Sequence, residues 1–346
     1  MTDGSGRSSG RAGARALGWA LGLLVLLLAA GFALTVGPGE FGLGEVLGVI
    51  ADKLRDAPSE PMTEAILWQL RLPRVLLAMV VGAALGAAGA VTQGLFRNPL
   101  ASPGVLGIST GAAAAVVIGF AIGIDEQALW ITPVLAALGA GLILALLFGL
   151  TVRRRDLAYL LLTGVALNAL AGAISTVTLA LFVDRYALAQ KAMVWMLGSF
   201  DGRGFAQLGW ASGPIVAGLL AAWALHRPLD LLVLGEETAA TLGVDRGRLR
   251  LVAATVVGVL VGTATAAVGA IGFVGLIVPH LARSLAGQAH ARLIPASMLI
   301  GAALVLAADT LGRALTPMFL APGAVTSLLG GVFFLWLLRR QTREVA

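Results

Sequence analysis

Cysteine is absent from all 346 residues, which excludes disulfides, thiol catalysis and thiolate metal sites together. Lysine occurs only as Lys53, before Leu54, and Lys191, before Ala192. A phosphate-cradling loop needs lysine followed by serine or threonine, so the chain has no such ATP site of its own. Histidine stands only at 226, 280 and 290, never in H-x-x-x-H spacing, and no DxxD pair occurs. A hydrolytic centre built on paired carboxylates or a metal therefore has nothing to start from. Charge is scarce as well: 12% of residues, against about 25% in an ordinary soluble domain.

What fills the chain instead is apolar. Hydrophobic residues make up 58% and mean hydropathy is +0.93. Uncharged windows occur at about 16–39, 75–96, 98–124, 127–152, 157–183, 205–225, 251–279, 293–308 and 314–338. A bilayer core needs about 20 apolar helical residues, so most of these can cross one. The run at 251–279 is too long for one straight helix and contains GAIGFVG, whose glycines favour a break. Splitting it there predicts an all-α, polytopic membrane protein of about ten transmembrane helices.

Ten crossings place both termini on one side. With Arg7, Arg11 and Arg15 inside, 16 Arg and Lys fall in inner segments and 8 in outer ones, while acids sort 7 to 11 the other way. That asymmetry follows the positive-inside rule. It also explains net charge +6 without a nucleic-acid patch, because the arginines are scattered between apolar runs. The seven tryptophans all fall near expected helix ends, as an interfacial belt requires. Residues 1–14, rich in Gly, Ser and Arg, read as a disordered cytoplasmic tail. Residues 15–346 read as one transmembrane domain. The first apolar run is read as a retained helix and not a cleaved signal, since no A-x-A-like site follows it.

RVLLAMVVGAALGAAGA (74–90) resembles RLVAATVVGVLVGTATA (250–266) at an offset of 176. The first copy starts outside and the second inside, which would make an inverted repeat of the kind that frames transport pathways. Chance similarity between two helices rich in small residues is the competing reading. The acids all lie in loops or close to helix ends, where an ion-coupled carrier would want some near the midplane. His280, after Pro279, is the nearest candidate for a proton site, and packing is its simpler role. FRNPLASPG (96–104), with two prolines and a glycine, reads as a fixed turn between helices.

One stretch stands apart. GEETAATLGVDRGR (235–248) carries three acids and two arginines between long apolar segments. Within an inner loop of about 226–250, Glu236 and Glu237 suit the positive end of a short helix. Ala239, Ala240 and Leu242 continue it, and Gly243 is placed to close it in a left-handed cap. So short a helix needs something to pack against.

LGEETAATLGV resembles the coupling loop of binding-protein-dependent ABC importer permeases, most closely the FecCD family, which carries iron–siderophores, haem and vitamin B12. RLPR (71–74), GAALGAAGAVTQGLFRNPLASPGVLGISTGA (82–112), LLLTGVALN (160–168), WMLGSF (195–200) and GAIGFVGLIVPHLAR (269–283) carry the same resemblance from about residue 66 to the end. It implies the type II ABC importer permease fold, and two permease subunits, identical or homologous, enclosing a pathway. It also implies two ATPase subunits holding ATP and Mg, an extracytoplasmic substrate-binding protein, and no cofactor on this chain. Gly235, Glu236, Glu237, Ala239, Leu242 and Gly243 would form the ATPase-coupling helix. Arg71, Arg74 and Arg313, which oppose the positive-inside trend, would dock carboxylates of the binding protein; a local pair between Arg313 and Asp309 is the alternative for the last.

The sequence thus leads to a non-enzymatic permease subunit in a bacterial plasma membrane, importing a metal chelate, with a ferric siderophore first and haem or cobalamin second. An ion-coupled carrier is the alternative from another class.

Overall fold

The computed structural model describes residues 5–345 apart from 38, 40, 129, 152–156, 183 and 316–319. The described residues contain helices and turns and no strand. In order, the helices are α1 (Ser5–Thr35), α2 (Leu43–Leu54) and α3 (Pro61–Glu64), which runs through a π-helical stretch (Ala65–Arg71) into α4 (Leu72–Phe96). They continue as α5 (Ile108–Ile122), α6 (Ile131–Thr151), α7 (Leu157–Leu181), α8 (Tyr186–Met196) and α9 (Phe205–Ala224). The remainder are α10 (His226–Val233), α11 (Glu236–Thr241), α12 (Arg246–Val268), α13 (Val274–Ala286), α14 (His290–Leu315) and α15 (Pro322–Val345).

Seven segments among the described residues are long and apolar enough to cross a bilayer: Leu17–Thr35, Pro61–Phe96, Ile131–Thr151, Ala158–Leu181, Phe205–Ala224, Arg246–Val268 and His290–Leu315. Three shorter apolar helices, Ile108–Ile122, Val274–Ala286 and Pro322–Leu337, bring the apolar helices to the expected ten. The long run breaks at GAIGFVG, with α12 ending at Val268 and α13 starting at Val274.

Several boundaries differ from the uncharged windows, and for one reason. The helix expected at 75–96 begins at Pro61, and the one expected at 293–308 runs from His290 to Leu315. Both extensions take arginines inside helices, which a charge-free window forbids; Arg74 and Arg313 are paired with Asp309, and Arg71 is hydrogen-bonded to carbonyls. Pro73 has no N–H to give to the Gln69 carbonyl, and the turn just before it widens into the π stretch. Of the tail expected over 1–14, residues 1–4 lie outside the described residues, and from Ser5 the chain continues α1 upstream. Trp195 also departs from the interfacial belt: it is buried at the end of α8.

The core is the antiparallel pair α4 and α14. A Cβ on Gly82 would lie 2.2 Å from the Gly301 carbonyl oxygen, and one on Gly86 would lie 2.1 Å from that of Ser297. Only residues without a side chain let two backbones approach so closely. Where lipid removes the hydrophobic drive between helices, such approach is what holds them together. The run GAALGAAGA therefore specifies the central contact.

The repeat is present in the packing. Let α4, α5, α6 and α7 correspond to α12, α13, α14 and α15. The contacts α5–α6, α5–α7, α6–α7 and α4–α14 then map onto α13–α14, α13–α15, α14–α15 and α12–α6, and α12–α5 onto α4–α13. Two Ala/Gly/Val helices resembling each other by chance would not carry their neighbours with them.

Candidate functional site

Two clusters lie at opposite ends of α4, which at 25 residues is about 37 Å long. At its C-terminal end lies the charged stretch. Gly235, at φ +113, precedes α11, a helix of six residues. Val244 N–H bonds to Ala239 O at 2.9 Å and Gly243 N–H to Ala240 O at 3.1 Å, with Gly243 at φ +86. This is a Schellman closure, in which a left-handed glycine satisfies the last carbonyls. The expected cap is therefore in place and closes the C-terminal end of α11.

The six residues expected to couple do not face one way. Ala239 is fully buried and anchors α11 to the rest of the chain. Glu237 is exposed, and Leu242 is 56% exposed. Glu236 turns inward to a cluster of arginines: Arg246 at 3.2 Å, Arg250 at 3.4 Å and Arg97 at 3.5 Å. Beside α11, the apolar side chains of Val233 and Leu234 are also exposed, though they lie outside every span. The loop expected at about 226–250 also contains the helix α10. Leu229 and Leu232 form its buried side, a spacing too brief to stand out in eight residues.

FRNPLASPG forms the expected turn. Arg97 closes α4 in a left-handed conformation at φ +48, Asn98 Oδ1 accepts from the Leu100 N–H at 2.8 Å, and a single 3₁₀ turn (Pro103–Leu106) leads into α5. His280 packs edge-on against Phe333, with ring centroids 5.4 Å apart. That is the packing role.

At the other end of α4 the three arginines form one network instead of an open surface. Arg74 donates from Nε to both oxygens of Asp309, at 3.1 and 3.0 Å, and from Nη2 to Oδ1 at 2.8 Å; its Nη1 bonds to Asp201. Arg313 Nε reaches Asp309 Oδ2 at 3.2 Å, the i,i+4 pair held open from the sequence. Arg313 also donates to the carbonyls of Ala33 at 3.1 Å and of Val36. Arg71 donates to the carbonyls of Leu34 at 2.7 Å and Gly39 at 3.1 Å, and its guanidinium lies over the Phe41 ring.

The physical sense is capping. The last carbonyls of a helix have no partner within it and carry the negative end of its dipole. Arg71 and Arg313 supply donors and positive charge to the end of α1, and Asp309, fully buried, balances Arg313 and Arg74. Arg71 and Arg313 are thus occupied inside the fold, and only Arg74, beside the exposed Asp201, lies at its margin. Sequence reading missed Asp201 and placed Asp309 near a helix end, when it lies within α14. Near Asp201, burial pushes the Arg203 guanidinium below its ordinary pKa, with Asp201 opposing.

The comparisons with known proteins fit this architecture. Residues 23–340 match the model of the FecCD transport family. The hemin transport system permease protein HmuU of Yersinia pestis is 44% identical over 281 residues, covering 80% of this chain and 83% of that protein. The vitamin B12 import system permease protein BtuC of Escherichia coli O17:K52:H18 is 38% identical over 286 residues, covering 82% and 87%. A solved structure described as a metal-chelate type ABC transporter in an inward-facing conformation superposes with TM-score 0.82 at 30% identity, covering 92% of this chain and 97% of that one. The chain belongs to the FecCD transport family.

Proposed function

We propose that the chain is the permease subunit of an ABC importer in a bacterial plasma membrane and that it carries a metal chelate, a ferric siderophore first, into the cytoplasm. Two such subunits, identical or homologous, enclose the pathway. Two separate ATPase subunits hold ATP and Mg and drive it, and a binding protein delivers the ligand from outside.

The observation that carries this reading is α11: a short helix outside every span, closed at its C-terminal end by Gly243, with Leu242 and nearby Val233 and Leu234 exposed. Exposed apolar side chains in that setting mark a protein contact. The charge asymmetry of the sequence supports a cytoplasmic face for it. Glu237 and Leu242 then face the ATPase, while Gly235 and Gly243 shape the helix and Ala239 anchors it.

Docking of the binding protein falls to Arg74. Its guanidinium fork is already half committed to the exposed Asp201, so a carboxylate of the partner would replace Asp201 in the same geometry. Arg71 and Arg313 act behind it, holding the surface through the end of α1.

A second reading, haem import, is favoured by the 44% identity to a hemin permease. The test is reconstitution of the chain with its co-purifying ATPase and binding protein in vesicles, offered ferric siderophore and hemin separately. Uptake that requires ATP supports the proposal, and the chelate accumulated selects between the two cargoes. Uptake driven by a proton gradient with ATP removed would favour an ion-coupled carrier.

A further inference from the structure

The closest packing of α11 is against α10, and among the helices it meets no other so extensively. Yet any movement of α11 has to reach α4 and α14, the rigid core pair. Part of the route is α10, which packs on both α4 and α14. A more direct link is made by charged side chains, which converge on one carboxylate.

The Glu236 carboxylate lies at the start of α11. Its Oε1 is 3.5 Å from Arg97 Nη2, at the C-terminal cap of α4. Its Oε2 is 3.2 Å from Arg246 Nη1 and 3.4 Å from Arg250 Nη2, both in the first turns of α12. One carboxylate thus joins the coupling helix to the facing ends of the two repeat helices. Arg97 adopts a left-handed backbone although it is not glycine, a conformation that residues with a Cβ disfavour. Among the described residues Glu236 is its one acidic partner.

Ion pairs that water still reaches stabilise little, so this part-buried cluster is not explained as a contribution to stability alone. Three cations around one anion instead define where that anion must sit, because each arginine left without it would face the others' charge. A second link runs parallel: Asp230 of α10 accepts from His290 N at 2.9 Å and contacts His290 Nδ1 at 2.7 Å, at the start of α14.

We propose that Glu236 is a positioning residue for energy coupling: an electrostatic pin through which displacement of α11 is passed to the end of α4 and the start of α12. This rests on the ABC-import reading and adds a specific transmitting contact to it. Glu236 faces the arginines of its own chain and not the ATPase, so removing its charge disconnects the lever without detaching the engine.

The experiment compares the reconstituted transporter with Glu236→Gln, Arg97→Gln and the charge-keeping Glu236→Asp, reading chelate uptake and ATP hydrolysis in the same vesicles. Glu236→Gln and Arg97→Gln are expected to keep the ATPase bound and hydrolysing while uptake per ATP falls at least about fivefold, the lower end of ordinary site-to-site coupling. Glu236→Asp, which keeps the anion among the three arginines, should lose less than Glu236→Gln. Spin labels at Thr241→Cys and Pro99→Cys, placed in a chain free of cysteine, should show one distance in the parent and a broadened distribution in Glu236→Gln. Unchanged uptake per ATP in Glu236→Gln overturns the pin, as does loss of the ATPase from that variant, which would make Glu236 a docking residue. If the unmodified transporter shows no ATP-dependent uptake, the functional reading itself fails, whatever the variants do.

Discussion

Arg74 and Asp309, 235 residues apart in the chain, form a forked ion pair in which both oxygens of a fully buried carboxylate accept from one guanidinium. Arg313 completes the arrangement from one turn further along α14. The pair ties α4 to α14 at one end of their contact, where the glycine-lined approach of Gly82 to Gly301 has already brought the backbones together.

Because Asp309 balances Arg74 and Arg313, its loss takes the carboxylate from the buried Arg313 and leaves Arg74 with Asp201 alone. Asp309→Ala is expected to destabilise the protein by about 3–5 kcal/mol, the cost of breaking a buried pair from one side. Thermal unfolding of the detergent-purified chain checks this. A melting temperature equal to the parent's would show that water or lipid headgroups reach the site.

Gly86→Val places a side chain where a Cβ alone would stand 2.1 Å from the Ser297 carbonyl oxygen. Backbone cannot yield as a flexible side chain can, so α4 and α14 must separate. The expected cost is at least the roughly 1–3 kcal/mol of an overpacked core. Gly44→Val, at a position with open space around it, serves as the control and should lose well under that amount on the same unfolding curve.

Ala239, within α11, and Leu242, just past its end, have opposite surroundings. Leu242→Asp should leave folding intact while abolishing co-purification of the ATPase, because only an exposed contact is changed. Ala239→Asp should lose the ATPase and also lower the yield of folded protein, since it buries an unpaired carboxylate. Equal behaviour of the two variants in size-exclusion and pull-down assays would contradict the assigned faces.

Gly243 takes a left-handed conformation that a β-branched residue tolerates poorly. Gly243→Val is expected to cost about 1–2 kcal/mol locally, fraying α11 and not the bundle. Amide hydrogen exchange should therefore quicken at Val244, whose N–H closes the helix, and stay unchanged in α4.

The natural absence of cysteine makes topology directly measurable. Thr241→Cys should react with an impermeant thiol reagent only from the cytoplasmic side, and Asp201→Cys only from outside. Labelling of both from one side would overturn the orientation inferred from arginine placement.

The sequence alone was sufficient for the all-helical membrane class, the ten apolar helices, the break at GAIGFVG and the capped helix at Glu236, because each is a local property. Run length, glycine placement and a cap residue act within a few positions of themselves. The repeat was visible in two aligned helices, though only their neighbours distinguished it from coincidence. What the tertiary structure decided was the partnership of charges. Arg71, Arg74 and Arg313 look like surface donors when taken as isolated residues against the positive-inside trend. Folding brings Asp309 and the last carbonyls of α1 to them, so that Arg71 and Arg313 become internal caps. Likewise Glu236 looks like a favourable first-turn acid, and only the fold shows it shared among Arg97, Arg246 and Arg250. Charges separated by hundreds of residues leave no periodic trace, because the energy that pairs them depends on distance in space and not along the chain.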